Sequence, residues 1–256
     1  MKNSMKNIKD RHKKLIEIIQ EMQETTVHDL AEKLTVSEMT IRRDCETLSN
    51  MGKLRLSFGK VSYINENDTE VLQKQISLIN EKIATAAADY VQDGQTIFIN
   101  SSQTAIKLLN HLNHKRVNVI TNNLLVTQTK IDSQQFVMLS GGEVKSGLHS
   151  LTGDNALDAF RRVRASISVI GCSGFDIKNG LTTTNIREGE INRTIIKNCN
   201  QLVVLANYTK LNKTANFTVG TIDDIDTLVT DEFADENIVK QLRARGIEVI
   251  QVPITK

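Results

Sequence analysis

Ser37, Thr40, Arg42 and Arg43 place two hydroxyls and two guanidinium groups within about two helical turns. Short polar side chains reach base edges, and arginines pair with guanine or with phosphate. A helix exposing this set in its first turns therefore suits the major groove of DNA. Ser37 is a good N-cap for a helix over 38–51, and the amides at that start attract phosphate. Ile41, Cys45 and Leu48 are spaced for one buried face, which leaves Glu38, Met39, Thr40, Arg42 and Arg43 largely off it. An exposed arginine pair on a small helical domain is also an ordinary solvated surface. The spacing alone leaves both readings open.

A second set of polar residues recurs behind short apolar runs. Asn100-Ser101-Ser102-Gln103-Thr104 follows TIFI, Thr121-Asn122-Asn123 follows VNVI, and Gly141-Gly142 follows FVMLS. Gly171-Cys172-Ser173-Gly174 follows SISVI, and Asn207-Tyr208-Thr209-Lys210 follows LVVLA. Taken singly, hydroxyl residues before a helix are caps and glycines after a strand are turns. Five such loops on one sheet edge point instead to a pocket for a small polar anion, because ligands of open α/β sheets bind outside the carboxyl ends of the strands. Lys210 adds a point charge that suits phosphate.

The elements that must hold these residues follow from periodicity. Leu15, Ile18, Ile19 and Met22, with Ile8 upstream, predict an amphipathic helix over about 9–24. Thr26 caps a second helix carrying Val27, Leu30, Ala31 and Leu34, and Gly52 is placed to end the third. Leu54, Leu56 and Phe58 alternate with Arg55 and Ser57, and a Gly59-Lys60 turn leads to Val61 and Tyr63, which predicts a β-hairpin. Lys53, Arg55 and Lys60 would lend it sequence-independent phosphate attraction. INENDT is a polar boundary, followed by a long helix over about 70–91. Beyond it apolar runs alternate with helical stretches, among them TAIKLLNHL, LLVTQTK, 187–199 and 236–245. That rhythm predicts an α/β fold with a mostly parallel sheet.

Composition narrows the class. No run of about 18 apolar residues is present, and the basic N-terminus has no apolar core behind it, so a cytoplasmic protein is expected. Cys45, Cys172 and Cys199 are far apart and the five histidines lack ligand spacing, so no metal or cofactor is expected. Through Tyr63 the chain holds 12 Lys+Arg against 9 Asp+Glu, and the rest holds 20 against 21. The positive excess sits in the smaller part, which permits a nucleic-acid-binding module there.

The segment VSEMTIRRD resembles the pattern V-S-x-x-T-[IV]-R-R-D-L of the DeoR/GlpR-type bacterial regulators, with Cys45 in place of its leucine. The resemblance continues through NEKIATAAADYVQDGQTIFINSSQTA, ITNN, LSGGEV, VIGCSGFDIKNGLTT, EGEINRTII and LANYTKLNKTA, so it spans nearly the whole chain. It implies an N-terminal winged helix-turn-helix over 1–64, a linker and connecting helix over 65–92, and a ribose-5-phosphate-isomerase-like α/β domain over 93–256. By resemblance, Glu38 and Met39 occupy positions that distinguish operators. The sequence departs from the family pattern at Leu56 and Lys60 in the wing, and at Asn100, Ser102, Asn192 and Asn207 in the larger domain. Two carboxylates thus become amides, which bind hydroxyls but do not abstract protons.

The expectation is a DNA-binding regulator, a repressor of carbohydrate-metabolism genes relieved by a phosphorylated sugar or polyol, acting as a dimer or tetramer on double-stranded operator DNA. Its DNA contacts would come from Ser37, Glu38, Met39, Thr40, Arg42, Arg43, Arg55 and Lys60. Effector contacts would come from the strand-end set (Asn100, Ser101, Ser102, Gln103, Thr104, Thr121, Asn122, Gly141, Gly142, Gly171, Gly174 and Lys210) together with Arg187 and Glu188. The competing expectation is a sugar-phosphate isomerase with an appended DNA-binding head, for which Glu188 or Asp176 would have to serve as base.

Overall fold

The computed structural model describes residues 2–51, 53–57, 60–64, 69–145 and 147–254. Gly52, the Phe58-Gly59 tip and most of the INENDT boundary lie outside the described residues. The chain divides into two compact units, Met1–Leu78 with Ile254–Lys256, and Ile79–Pro253.

In the first unit, α1 (Lys2–Met22) buries Leu15 and Ile19 completely, while Ile8 and Met22 are exposed. It ends at Gln23, whose φ of 61° is left-handed. Glu24 therefore leaves the expected helix and enters a strand, β1 (Glu24–Thr26), too short to show alternation in sequence. Thr26 caps α2 (Val27–Leu34) by accepting from the Asp29 amide at 3.1 Å. A left-handed Thr35 turns the chain, and Ser37 caps α3 (Glu38–Asn50) by accepting from the Thr40 amide. β2 (Leu54–Ser57) and β3 (Lys60–Tyr63) pair antiparallel, and β1 adds to β3, giving the order β1-β3-β2. Leu15, Ile19, Leu30, Ile41, Cys45, Leu48, Leu54 and Val61 form one core. This is a winged helix with a three-stranded sheet.

Helix α4 (Thr69–Ala87) begins in the first unit and ends in the second, where a 3-10 turn (Ala88–Tyr90) completes the expected helical stretch. Seven parallel strands follow, in the order β15-β14-β12-β9-β4-β5-β6. They and the elements between them are β4 (Thr96–Ile99), α5 (Gln103–Ile106), β5 (Val117–Thr121), β6 (Gln135–Leu139), β7 (Glu143–Val144), β8 (Leu151–Thr152), α6 (Asp154–Arg161), β9 (Ile167–Gly171), β10 (Gly174–Asp176), β11 (Gly180–Thr183), α7 (Ile186–Lys197), β12 (Leu202–Leu205), β13 (Phe217–Gly220), β14 (Thr227–Asp231), α8 (Glu236–Ala244) and β15 (Glu248–Val252). β9, β12 and β14 are buried at every residue, as strands of a parallel sheet covered on both faces must be. Phe98 and Phe160 meet edge to face at 5.1 Å within this core.

Two expected helices are shorter than their sequence suggests. TAIKLLNHL makes one α-turn continued by a 3-10 turn at Lys107–His111, and LLVTQTK makes a 3-10 turn at Leu124–Gln128. The sheet β10-β11-β13 and the β7-β8 pair carry little periodic signal in sequence, since their strands are two to four residues long; the eight-residue helix α6 is an addition to the helical stretches read from sequence.

Candidate functional site

Two groups of residues carry the candidate chemistry, one in each unit. In the first unit, Ser37 Oγ and Thr40 Oγ1 share a hydrogen bond of 2.8 Å at the start of α3. Met39 is 78% exposed, and Arg42 and Arg43 are exposed on the following turn. Among the described residues no carboxylate pairs with either arginine. Arg55 is exposed on β2, but Lys60 on β3 is held by Glu24 of β1 at 2.8 Å, so its charge is shared within the sheet. Glu38 is likewise engaged. His28 of α2 meets it at 2.8 Å and also lies 3.5 Å from Glu32. The Glu38 hydrogen bond, with the charges of Glu32 and Glu38, raises the exposed His28 imidazole above its ordinary range.

Asp44, which closes the IRRD segment, has no role at the surface. It is 5% exposed and accepts from Arg11 Nη2 at 3.0 Å, with His12 Nε2 also at 3.0 Å. Burial pushes its carboxyl up, but the bonds from His12 and Arg11 outweigh that and hold it below the usual carboxylate range. Asp44 thus fastens α3 to α1 and fixes the helix that presents the arginines.

In the second unit, the strand order makes the site. From β4 the chain adds β5 and β6 on one side, then returns to add β9, β12, β14 and β15 on the other. The carboxyl ends of β4 and β9 therefore flank a topological switch point, where open α/β sheets bind ligands. Asn100 spans it. Its amide donates to the Gly171 carbonyl at 2.8 Å and to Asn192 Oδ1 at 3.1 Å, and its oxygen accepts from the Gly171 amide at 3.0 Å. At 2% exposure it is a strut beneath the edge, with its donors and its acceptor used internally.

Ser102 caps α5 by accepting from Thr104 and Ala105. A Cβ on Gly171 would lie 2.2 Å from Ser102 Oγ, so a glycine here is needed to let the serine in. Thr121 is fully buried and accepts from the Asn123 amide. Asn123 was not singled out among the site residues, yet its side chain donates to the Asn100 and Ser102 carbonyls and ties the β5 loop to the β4 loop. Asn122 donates to the Leu151 carbonyl, while its buried Oδ1 has no partner. Ser101 and Thr104 are half-buried and Gln103 is exposed.

The remaining strand-end residues divide by role. Gly142 and Gly174 are packed against backbone, at the Thr152 and Lys213 carbonyls respectively. Gly141 borders open space. Lys210 is half-buried at the end of the Tyr208–Lys210 turn, and its ammonium has no partner among the described residues. Its charge reaches the neighbouring Cys172, whose thiol is nonetheless pushed up to about 12 by burial. Cys45 is pushed up to about 12 by burial as well, and Cys199 is raised for the same reason. All three cysteines are free thiols.

Arg187 and Glu188 sit at the start of α7. Arg187 pairs with Glu143 across a cleft of about 900 Å³ lined also by Lys145, Leu148, Thr152, Asn185 and Phe217. Glu188 is half-buried beside it in sequence. Asp176, the other carboxylate considered as a base, is unsuited to that role. Burial opposes its ionisation, but bonds from Thr214, Asn179 and the loop amides outweigh this and hold it down at about 2.

Residues 11–67 match the model of the DeoR-like helix-turn-helix domain, and residues 79–232 match that of the DeoR C terminal sensor domain. The chain is 30% identical to the HTH-type transcriptional regulator GolR of Listeria innocua, over 94% of this chain and 97% of that protein. It is 29% identical to the HTH-type transcriptional repressor CsqR of Escherichia coli, over 94% of each. It is 27% identical to the glycerol-3-phosphate regulon repressor of the same organism, over 93% and 97%. Among solved structures, ribose 5-phosphate isomerase A of Methanocaldococcus jannaschii aligns with 52% of this chain and 53% of its own, at 19% identity and a TM-score of 0.38.

Proposed function

The chain belongs to the DeoR family of helix-turn-helix transcription regulators and is a DNA-binding protein of that kind, and we propose that it represses carbohydrate-metabolism genes until a phosphorylated sugar or polyol binds its larger unit. The observation that carries the DNA-reading part is the unpaired Arg42–Arg43 set on the open face of α3. Ser37, Met39, Thr40 and Arg55 would complete that surface. Glu38 and Lys60 would act as pairs with His28 and Glu24 rather than as lone charges.

The effector part rests on the unpartnered Lys210 ammonium and the loops of β4, β5, β9 and β12, which share one sheet edge. The cleft at Arg187 offers Lys145 as a further cation, Arg187 itself being paired with Glu143. Coupling would run through α4, where Asn80 accepts at 2.7 Å from Asn207, the residue that starts the Lys210 turn. A ligand shifts such a balance only by its differential affinity for the two states. Helix-turn-helix proteins commonly read paired half-sites, and we infer a homo-oligomer, dimer or tetramer. Phe136, 65% exposed on the edge strand β6, fits a self-association surface. A cytoplasmic location follows from the proposed role, and among the described residues no helix is long and apolar enough to cross a membrane.

An isomerase reading is not favoured, because Asp176 is locked in its turn and Asn100 is an amide. The relatives named above are regulators and repressors. The deciding experiment pairs two variants on a duplex enriched by in vitro selection. Arg42→Ala is expected to weaken DNA binding by about 1–3 kcal/mol and leave effector binding intact. Lys210→Ala is expected to do the reverse. Normal DNA binding by Arg42→Ala at moderate salt would remove the groove assignment.

A further inference from the structure

The strand edge holds one group that the assignments above leave unused. Asp231, the last residue of β14, is fully buried. Its Oδ2 accepts from the Tyr208 amide at 2.8 Å and its Oδ1 from the Phe233 amide at 3.0 Å. Among the described residues no side-chain cation pairs with it, whereas the other buried aspartate, Asp44, has both Arg11 and His12. A buried charge without a counterion is costly. Such groups gather at functional sites.

What Asp231 holds is the turn that ends in Lys210. Within that turn Asn207 Oδ1 accepts from Thr209 N and Oγ1, and the Lys210 amide donates to the Asn207 carbonyl. The Tyr208 and Phe233 rings stack edge to face at 5.8 Å and clamp the same segment. Each Asp231 oxygen faces an N–H donor, so only an acceptor at both positions satisfies the pair. An asparagine would turn an NH₂ group against one of them.

Resting on the reading of this edge as an anion site, we propose that Asp231 is a positioning residue of the sensor: its carboxylate fixes the Tyr208–Lys210 turn and thereby holds the Lys210 ammonium ready for a phosphoryl group. The charge bearing on Asp231 is that of Glu232, and Tyr208, itself pushed up to about 12 by burial, stays neutral. Asp231 therefore acts on Lys210 through the backbone. Burial pushes its carboxyl up to about 6. Acidification replaces one acceptor oxygen by an O–H and loosens the turn, so anion affinity falls below that pH.

The test uses inorganic sulfate, whose charge is constant between pH 5 and 8, titrated against the full chain with the Tyr208, Thr209 and Lys210 amides as NMR reporters. Wild type is expected to lose about tenfold in affinity from pH 7.5 to 5, with a midpoint near 6. Asp231→Asn is expected to bind weakly and without that step while keeping its fold. Wild-type affinity in Asp231→Asn at pH 7.5, or an unchanged step, overturns the proposal. If Asp231→Asn fails to fold, a flat wild-type profile overturns it instead. Absence of wild-type binding, or undiminished binding by Lys210→Ala, overturns the anion-site reading itself and this proposal with it.

Discussion

At the scale of single residues, the proposed DNA contact through α3 would be tied to pH by the pair His28–Glu38. The imidazole is raised above its ordinary value by its bond to Glu38, so it is charged below about pH 6.5 and loses its proton only as pH climbs through the raised value. While charged, it offsets the Glu38 carboxylate on α3, the helix proposed to face DNA. Once neutral, it leaves that negative charge facing phosphates. DNA affinity of wild type is therefore expected to fall as pH climbs from about 6.5 through the raised His28 value, and that of His28→Ala to be lower and flat over the same range. Filter binding across that range at fixed salt checks it, and a flat wild-type curve excludes the pair as a contributor. The Ser37 cap and the arginine pair were legible in sequence because caps and helix faces are local. Glu38's partner, Asn123's bridge and Asp231 were not, because each depends on which strands and helices become neighbours. TLVTD does carry a signal in hindsight: a carboxylate closes an otherwise apolar strand on the edge where the other loops collect.

At the scale of elements, α3 is only as well aimed as its attachment to α1. Asp44 is buried on α3 behind the exposed arginines and is reached by Arg11 and His12. Removing one partner of a largely buried ion pair strands the other. Asp44→Ala is expected to destabilise the first unit by about 2–4 kcal/mol, read from its denaturation midpoint, and a double-mutant cycle with Arg11→Ala isolates the pair. Because the Asp44 carboxyl is held low in the folded chain, this stabilisation is present above the unfolded value of about 3.9 and is lost as pH falls through the folded one. The helices with full periodic stripes and the strands of the parallel sheet were readable from sequence. The wing's third strand, the 3-10 turns and the small antiparallel sheet were not, since segments of two to five residues form where neighbours supply their hydrogen bonds.

At the scale of the whole molecule, α4 is the continuous helix through which the boundary between the units passes, and its Asn80 touches the turn that carries Lys210. Asn80→Ala is expected to keep effector affinity within about twofold and to reduce the effector's influence on DNA affinity at least about threefold. Unchanged coupling in that variant would route the signal elsewhere. The overall plan, a small basic head followed by a parallel-sheet domain, was legible because both patterns extend over many residues. The Asn80–Asn207 contact was not, because 127 residues separate its partners.

The raised thiols have a practical corollary. Alkylating agents attack thiolates, and a thiol near 12 is ionised in roughly one molecule in a hundred thousand at pH 7. Cys45, fully buried in the first unit, should therefore ignore iodoacetamide while its surroundings stay closed and react once these open. The rate at which it is tagged, read by mass spectrometry, becomes a clock for the opening of the first unit, with no engineered residue added.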